Sequence, residues 1–166
     1  MSAAESVSRA SFSGALLPIS QPRPMVVLPS AIWADGEWTR IKLGYRARGM
    51  DEKWNIFMEN DVLFLHRSWT GHGIYEVSFA AVEGGGRRIA EGVVESDPER
   101  HRTGADTVDH EYDGLMVELV IRTILLGKAA PELFEKFGEL AKQRTGRSDL
   151  PTGALRHHAL GVRTEN

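Results

Sequence analysis

The chain of 166 residues contains no cysteine. Without a thiol it forms no disulfide, no thiolate-bound zinc or iron–sulfur site, and no cysteine nucleophile. A protein without cysteine suits a reducing compartment, so we expect a cytoplasmic location.

Long apolar runs and an excess of one charge are also lacking. The longest apolar-rich piece, residues 114–127, is interrupted by Glu118 and Arg122 and is too short to span a membrane. A net charge of -3 gives no general attraction to nucleic acid or to anionic membranes. We therefore predict that the chain binds neither nucleic acid nor membrane.

The length fits one domain. Residues 1–22 are rich in serine and alanine, lack an apolar period, and carry one basic residue, Arg9. We interpret them as a flexible N-terminal arm and not as a targeting segment. Residues 23–146 form the predicted single domain, and the polar residues 147–166 form a loosely ordered C-terminal tail.

Alternation of apolar and polar residues predicts β-strands in the first part of this domain. Residues 25–28 and 38–49 are the first two strand candidates. A hairpin with its turn at Asn60–Asp61 follows, because both turn residues tolerate positive φ. Two more strands on either side of the glycines at 84–86 complete a meander of about four strands.

The period changes after residue 106. Apolar residues three, four and seven positions apart predict a largely buried helix from Val108 that stops at Gly127. A second helix is predicted over residues 130–146, with Pro131 in its first turn. Strands followed by helices indicate an α+β fold, in which C-terminal helices pack on one face of an antiparallel β-meander sheet.

Candidate chemistry concentrates in the stretch Phe64–Tyr75, where a predicted strand becomes polar near the end of the sheet. The guanidinium of Arg67 would bind a phosphate or carboxylate, and Ser68 and Thr70 would add hydrogen-bond donors. Trp69 or Tyr75 would stack on a base or ribose. The alternative is structural: His66 is a strand-end residue, Arg67 pairs with a carboxylate, and Trp69 belongs to the core.

Covalent and metal chemistry have weaker support. His66 and Ser68 share a strand face, but the chain lacks a nucleophile elbow, so we predict no covalent catalysis. Asp109, His110 and Asp113 would lie on one side of a helix, but one histidine among acids is a weak metal motif. Acidic residues at a helix start are explained by capping. We predict no metal and no cofactor.

Two segments, "MDEKWNIFMENDVLFLHRSWTGHGIYEVSF" and "HEYDGLMVELVIRTILLG", carry a resemblance. With D-E-K-W, H-R-S-W-T-G and an acidic–aromatic helix start, the chain resembles a family of small uncharacterised bacterial proteins over roughly Met50–Gly127. The resemblance implies no defined activity, although relatives occur beside ADP-ribose-processing modules. It implies that the following motif residues form the site: Lys53, Trp54, His66, Arg67, Ser68, Trp69, Thr70 and Gly71.

No catalytic constellation is complete, and Trp33, Trp38, Trp54 and Trp69 are many tryptophans for one small domain. We therefore predict a non-enzymatic binding or interaction module, with some tryptophans as interface anchors. The alternative function is a nucleotide-like or ADP-ribose-like ligand binder, with hydrolase or transferase activity, that uses the His66–Thr70 cluster. Its partner is then a phosphorylated small molecule and not a protein; the sequence leaves the oligomeric state open.

Overall fold

A computed structural model describes residues 6–12, 14–101, 106–145 and 159–161. Five antiparallel strands form one sheet in the order β1-β5-β4-β3-β2. The strands are β1 (Pro22–Pro24), β2 (Trp54–Glu59), β3 (Val62–Arg67), β4 (Gly73–Ala81) and β5 (Arg87–Glu95). The helices are α1 (Asp35–Ile41), α2 (Thr107–Leu119) and α3 (Pro131–Thr145), and a single 3₁₀ turn covers Arg9–Phe12. The predicted α+β class with an antiparallel sheet is confirmed.

The central meander follows the predicted turn chemistry. Asn60 and Asp61 adopt φ values of 50° and 63°, and the strands they join pair in register from Trp54 opposite Arg67 to Glu59 opposite Val62. Left-handed backbone at both positions matches the right-handed twist of the strands. The hairpin prediction at this turn is therefore confirmed.

Two predicted strands are wrong. Residues 25–28 lie outside any strand, and the first strand is instead the short edge Pro22–Pro24. The alternating residues 38–49 were predicted as a strand, but Trp38 and Ile41 belong to helix α1 and face the core three positions apart. Trp38 packs on Phe79 of β4, with ring centroids 4.9 Å apart, and this tertiary contact favours the helical spacing.

The long C-terminal helix is present with one irregularity. Helix α2 continues as a π-helix over Val120–Leu125, where Leu126 N donates to Ile121 O across five residues. Gly127 ends the run in the left-handed region, at φ 63°, as predicted. Helix α3 follows; Gly146, predicted as its end, lies outside the described residues.

The two faces of the sheet are covered by different parts of the chain. Tyr75, Val77 and Phe79 of β4 face the helices, whereas Phe57 and Phe64 lie on the opposite face. On that second face, the Arg9 guanidinium lies 4.9 Å from the Phe57 ring centroid and 5.1 Å from that of Phe64. The described residues of the predicted N-terminal arm thus pack against the sheet.

Of the predicted C-terminal tail, only residues 159–161 are described. Leu160 is buried in the main hydrophobic core, and Gly161 forms an antiparallel bridge with Glu52.

Candidate functional site

The motif residues gather at one end of the β2–β3 hairpin. Trp54 begins β2 opposite Arg67, which ends β3, and Ser68 N donates to Lys53 O at 2.9 Å. The two halves of the motif are therefore brought together by strand pairing, although their side chains point in different directions.

His66 lies on the second face of the sheet, away from the helices. It is buried, its ring stacks on Phe57 at 5.6 Å, and Nδ1 lies 2.9 Å from Gly71 O. Burial lowers the pKa of His66, and the nearby Arg9 charge lowers it further, whereas the bond to Gly71 opposes the shift. The imidazole is therefore neutral at physiological pH.

Arg67 lies on the helix face. Its guanidinium stacks 4.7 Å from the Trp54 ring centroid, and NH1 donates to Ala159 O at 2.6 Å. The Trp54 indole Nε1 donates to the same carbonyl oxygen at 3.1 Å. Burial lowers the pKa of Arg67, yet a guanidinium stays charged over the physiological range. Trp54 and Arg67 therefore act together on one backbone acceptor.

The two hydroxyl groups of the motif, those of Ser68 and Thr70, form hydrogen bonds within the protein. Ser68 Oγ donates to Glu52 O at 2.7 Å, and Thr70 Oγ1 accepts from His72 N at 3.2 Å. The buried Glu52 carboxylate accepts from Tyr45 OH and from Arg48 N. These contacts hold the turn that carries Trp69 and the residues that lead into β2 at Trp54.

Trp69 is the exposed aromatic residue of the motif. Its side chain and that of Met50 stand out from the surface, with 64% and 72% of their area exposed. Trp69 Nε1 and Lys53 Nζ both donate to Met50 O, at 3.3 and 2.8 Å, and the ammonium lies 4.3 Å from the indole centroid. The backbone of the 50–53 turn therefore fixes an aromatic ring and a cation at the surface.

Residues 159–161 lie against the same turn. Glu52 forms a bridge with Gly161, Lys53 lies next to that glycine, and Trp54 and Arg67 donate to Ala159 O; we call the surface formed by these four residues the Leu160 slot. Leu160 is 1% exposed. Gly161 has a φ of 72°, and a Cβ at this position would lie 2.6 Å from Asp51 O and 3.0 Å from Lys53 N. The slot therefore accepts only glycine after its buried leucine.

The predicted site residues thus divide into three groups. Trp54 and Arg67 line the Leu160 slot, with Ser68 bracing the backbone beside it. Lys53 and Trp69 form the exposed surface. His66 lies on the other side of the sheet and Thr70 in the turn, so these two share no contact with Arg67 among those described above.

A second polar network joins the sheet to α2, and the sequence did not predict it. Tyr75 OH donates to Asp113 Oδ1 at 2.7 Å, and His101 Nε2 lies 2.8 Å from the same oxygen. Asp113 is buried, and burial together with the Asp113 charge raises the pKa of Tyr75 well above its ordinary value. Tyr75 therefore remains a protonated donor. The feature of the sequence that indicates this network is Asp113, an aspartate among the apolar residues of the predicted helix.

The acidic residues near the start of α2 have separate roles. Asp106 caps the helix by accepting from Asp109 N at 2.9 Å, as the capping interpretation predicts. Asp109 accepts from Arg144 Nε at 2.9 Å. Within the described part of the chain, no three histidine or acidic side chains are placed to hold a metal ion together.

No helix among the described residues is long and apolar enough to cross a membrane. No protein-family model, curated protein sequence or solved structure matches this chain. The resemblance based on the D-E-K-W and H-R-S-W-T-G motifs therefore stays a prediction.

Proposed function

We propose that the chain is a non-enzymatic binding module that contacts its partner through Met50, Lys53 and Trp69, a group that we call the Trp69 surface. The exposure of Trp69 carries the proposal, because the other three tryptophans, Trp33, Trp38 and Trp54, are buried in the core. Tryptophan is strongly enriched among residues that dominate binding energy at protein interfaces.

The Trp69 surface is suited to a partner because it is held in place before binding. The indole nitrogen and the Lys53 ammonium share the Met50 carbonyl, so docking costs little further side-chain entropy. Met50 adds an adaptable apolar side chain. Lys53 retains ammonium donors beyond its bond to Met50 O. A fitting partner is a protein that presents an apolar side chain next to a carboxylate.

Site-specific photo-crosslinking tests this proposal. A photo-reactive amino acid replaces Met50 in one protein and Val26 in another, so that Trp69 stays intact; Met50 is 72% exposed, and Val26 is 68% exposed and follows β1, at the opposite edge of the sheet. We expect a discrete crosslinked product in extracts of the source cells only from position 50, and we expect Trp69→Ala or Lys53→Glu to reduce its yield. Identical products from both positions would refute the proposal.

A nucleotide-like or ADP-ribose-like ligand is the second candidate. The observation in its favour is the ammonium beside an exposed indole, a pair that suits a phosphate and a stacked base. His66, Arg67, Ser68 and Thr70 contribute less than predicted from sequence, because they hydrogen-bond within the protein.

Thermal denaturation with a nucleotide panel tests this second candidate. A ligand present at one hundred times its dissociation constant stabilises the folded state by about 2.7 kcal/mol. We expect Trp69→Ala to abolish any such shift. An unchanged melting temperature with every phosphorylated compound would argue against a nucleotide-like ligand.

A further inference from the structure

The Leu160 slot has the features of a peptide-recognition site. Trp54 Nε1 and Arg67 NH1 converge on one carbonyl, Ala159 O, and the backbone of Glu52 pairs with Gly161. Ala159 is helical, Leu160 lies in the turn that follows, and Gly161 forms the bridge with Glu52. The segment is therefore held by two side-chain donors on one carbonyl, by one backbone bridge, and by burial of Leu160 in the core.

The slot selects a sequence pattern. It binds a backbone carbonyl, buries a leucine side chain, and leaves no room for a Cβ at the following position, where Asp51 O and Lys53 N approach too closely. A Leu-Gly pair satisfies all three requirements when the leucine lies in a turn and the glycine adopts the left-handed conformation, as Leu160 and Gly161 do here. The two sides of the slot come from the D-E-K-W and H-R-S-W-T-G motifs, so their pairing gives both motifs one shared role.

We propose that residues 159–161 are an intramolecular ligand, and that a partner protein's Leu-Gly segment binds the slot by displacing them. The inference rests on the proposed function, because Lys53 belongs both to the slot and to the Trp69 surface. A partner segment bound in the slot would therefore continue onto Trp69. Because the internal ligand belongs to the same chain, its binding is intramolecular and its effective concentration is high. The internal segment thus acts as a competitor that keeps the slot closed to weak ligands.

Binding in trans is tested on the full-length chain carrying Leu160→Asp, which removes the leucine that fills the slot. The probe is a fluorescent synthetic peptide of residues 153–166, measured by anisotropy. We expect saturable binding to this variant at least tenfold tighter than to the wild-type chain, whose own segment competes. A control peptide with Gly161→Ala should bind at least tenfold more weakly. Equal affinity of both peptides for both chains would overturn the proposal.

A second preparation covers the case in which Leu160→Asp does not fold. A protease site is inserted between residues 148 and 149 of the otherwise wild-type chain, and the purified protein is cleaved in its folded state. Native mass spectrometry should show the C-terminal fragment retained and then exchanged by excess labelled peptide. Immediate loss of the fragment, or retention without exchange, would each overturn the proposal.

The crosslinking experiment and the peptide experiment test different surfaces, so a negative result in one does not decide the other. Peptide binding in the slot without a specific crosslink from position 50 would refute the Trp69 surface and leave the slot as the site. A crosslink from position 50 without peptide binding would refute the slot and leave the Trp69 surface.

Discussion

Tyr75 ties the centre of the sheet to α2 through one hydroxyl group. Replacing it with phenylalanine removes the donor to Asp113 while keeping the ring stacked on Trp54. We expect Tyr75→Phe to lower the free energy of unfolding by about 1–2 kcal/mol, because a buried carboxylate loses a hydrogen bond. Urea denaturation measures this loss. An unchanged midpoint would show that Asp113 does not need the Tyr75 hydroxyl as a donor.

Gly161 tests the fit of the Leu160 slot within the chain itself. We expect Gly161→Ala to destabilise the protein by at least about 1 kcal/mol, because its left-handed backbone disfavours alanine and the added Cβ meets Asp51 O. Gly36 in α1 is the matched control, since a Cβ there meets nothing within 4 Å and φ is not positive. Gly36→Ala should leave stability equal or higher in the same denaturation assay. Equal losses from both variants would contradict the fit described for the slot.

At the residue scale, strand alternation predicted which motif side chains share a face, but not what covers each face. Neighbouring residues of a strand point to opposite faces, so alternation predicts that His66 and Arg67 lie on different faces, and they do. The groups that satisfy them, Gly71 O and Ala159 O, could not be assigned, because one depends on the shape of a turn and the other comes from 92 residues further along the chain. Contacts of such sequence separation leave no local pattern.

At the element scale, α1 shows why a period of two was misleading. Residues 38–45 alternate, yet Trp38 and Ile41 are equally consistent with one helical face over so short a window. Contacts made outside residues 38–45 favour the helix over the strand. Glu37 accepts from Ala34 N at 2.9 Å and pairs with Lys128 at 2.6 Å. The meander and the C-terminal helices could be predicted because their patterns run longer and their turns have distinctive residues.

The N-terminal segment is an element whose attachment depends strongly on one side chain. Arg9 forms two hydrogen bonds with Glu59 at 3.0 Å and covers two phenylalanine rings of the second face. We expect Arg9→Ala to speed hydrogen exchange at the Val7 amide, which bonds to Leu43 O, with little change in global stability. Exposed ion pairs and cation–π contacts each contribute only about 1 kcal/mol or less. Arg46→Ala is the control, and equal exchange in both variants would refute the anchoring role of Arg9.

At the scale of the whole molecule, segments from near both ends of the chain complete the same hairpin. Residues 6–12 cover its outer face, and residues 159–161 close its open end. Local pairing therefore forms the two strands of the β2–β3 hairpin, whereas distant segments of the chain bury the surfaces of these strands. This explains why the sequence predicted the hairpin and yet left the two flanking segments as a flexible arm and a loose tail.

His66, buried beneath the N-terminal segment, makes the stability of the whole fold depend on pH. Its pKa is lowered in the folded state, so its contribution to stability is fully present above the unfolded value of about 6.5 and is lost as the pH falls below it. Glu76 on the same face acts in the opposite sense, because burial raises its pKa and protonation then favours folding. A comparison with His66→Phe isolates the histidine, since Glu76 is common to both proteins.

We expect the wild-type protein to lose more free energy of unfolding than His66→Phe between pH 7.5 and 5.5. From pH 7.5 to 8.5 the two proteins should change in parallel, because the imidazole is neutral throughout that range in both the folded and the unfolded chain. Urea denaturation at each pH provides the measurement, and the difference in slope is independent of how much the substitution costs at neutral pH. Parallel curves down to pH 5.5 would mean that His66 can be protonated without disturbing its packing on Phe57, and therefore that the face beneath the N-terminal segment is open to water.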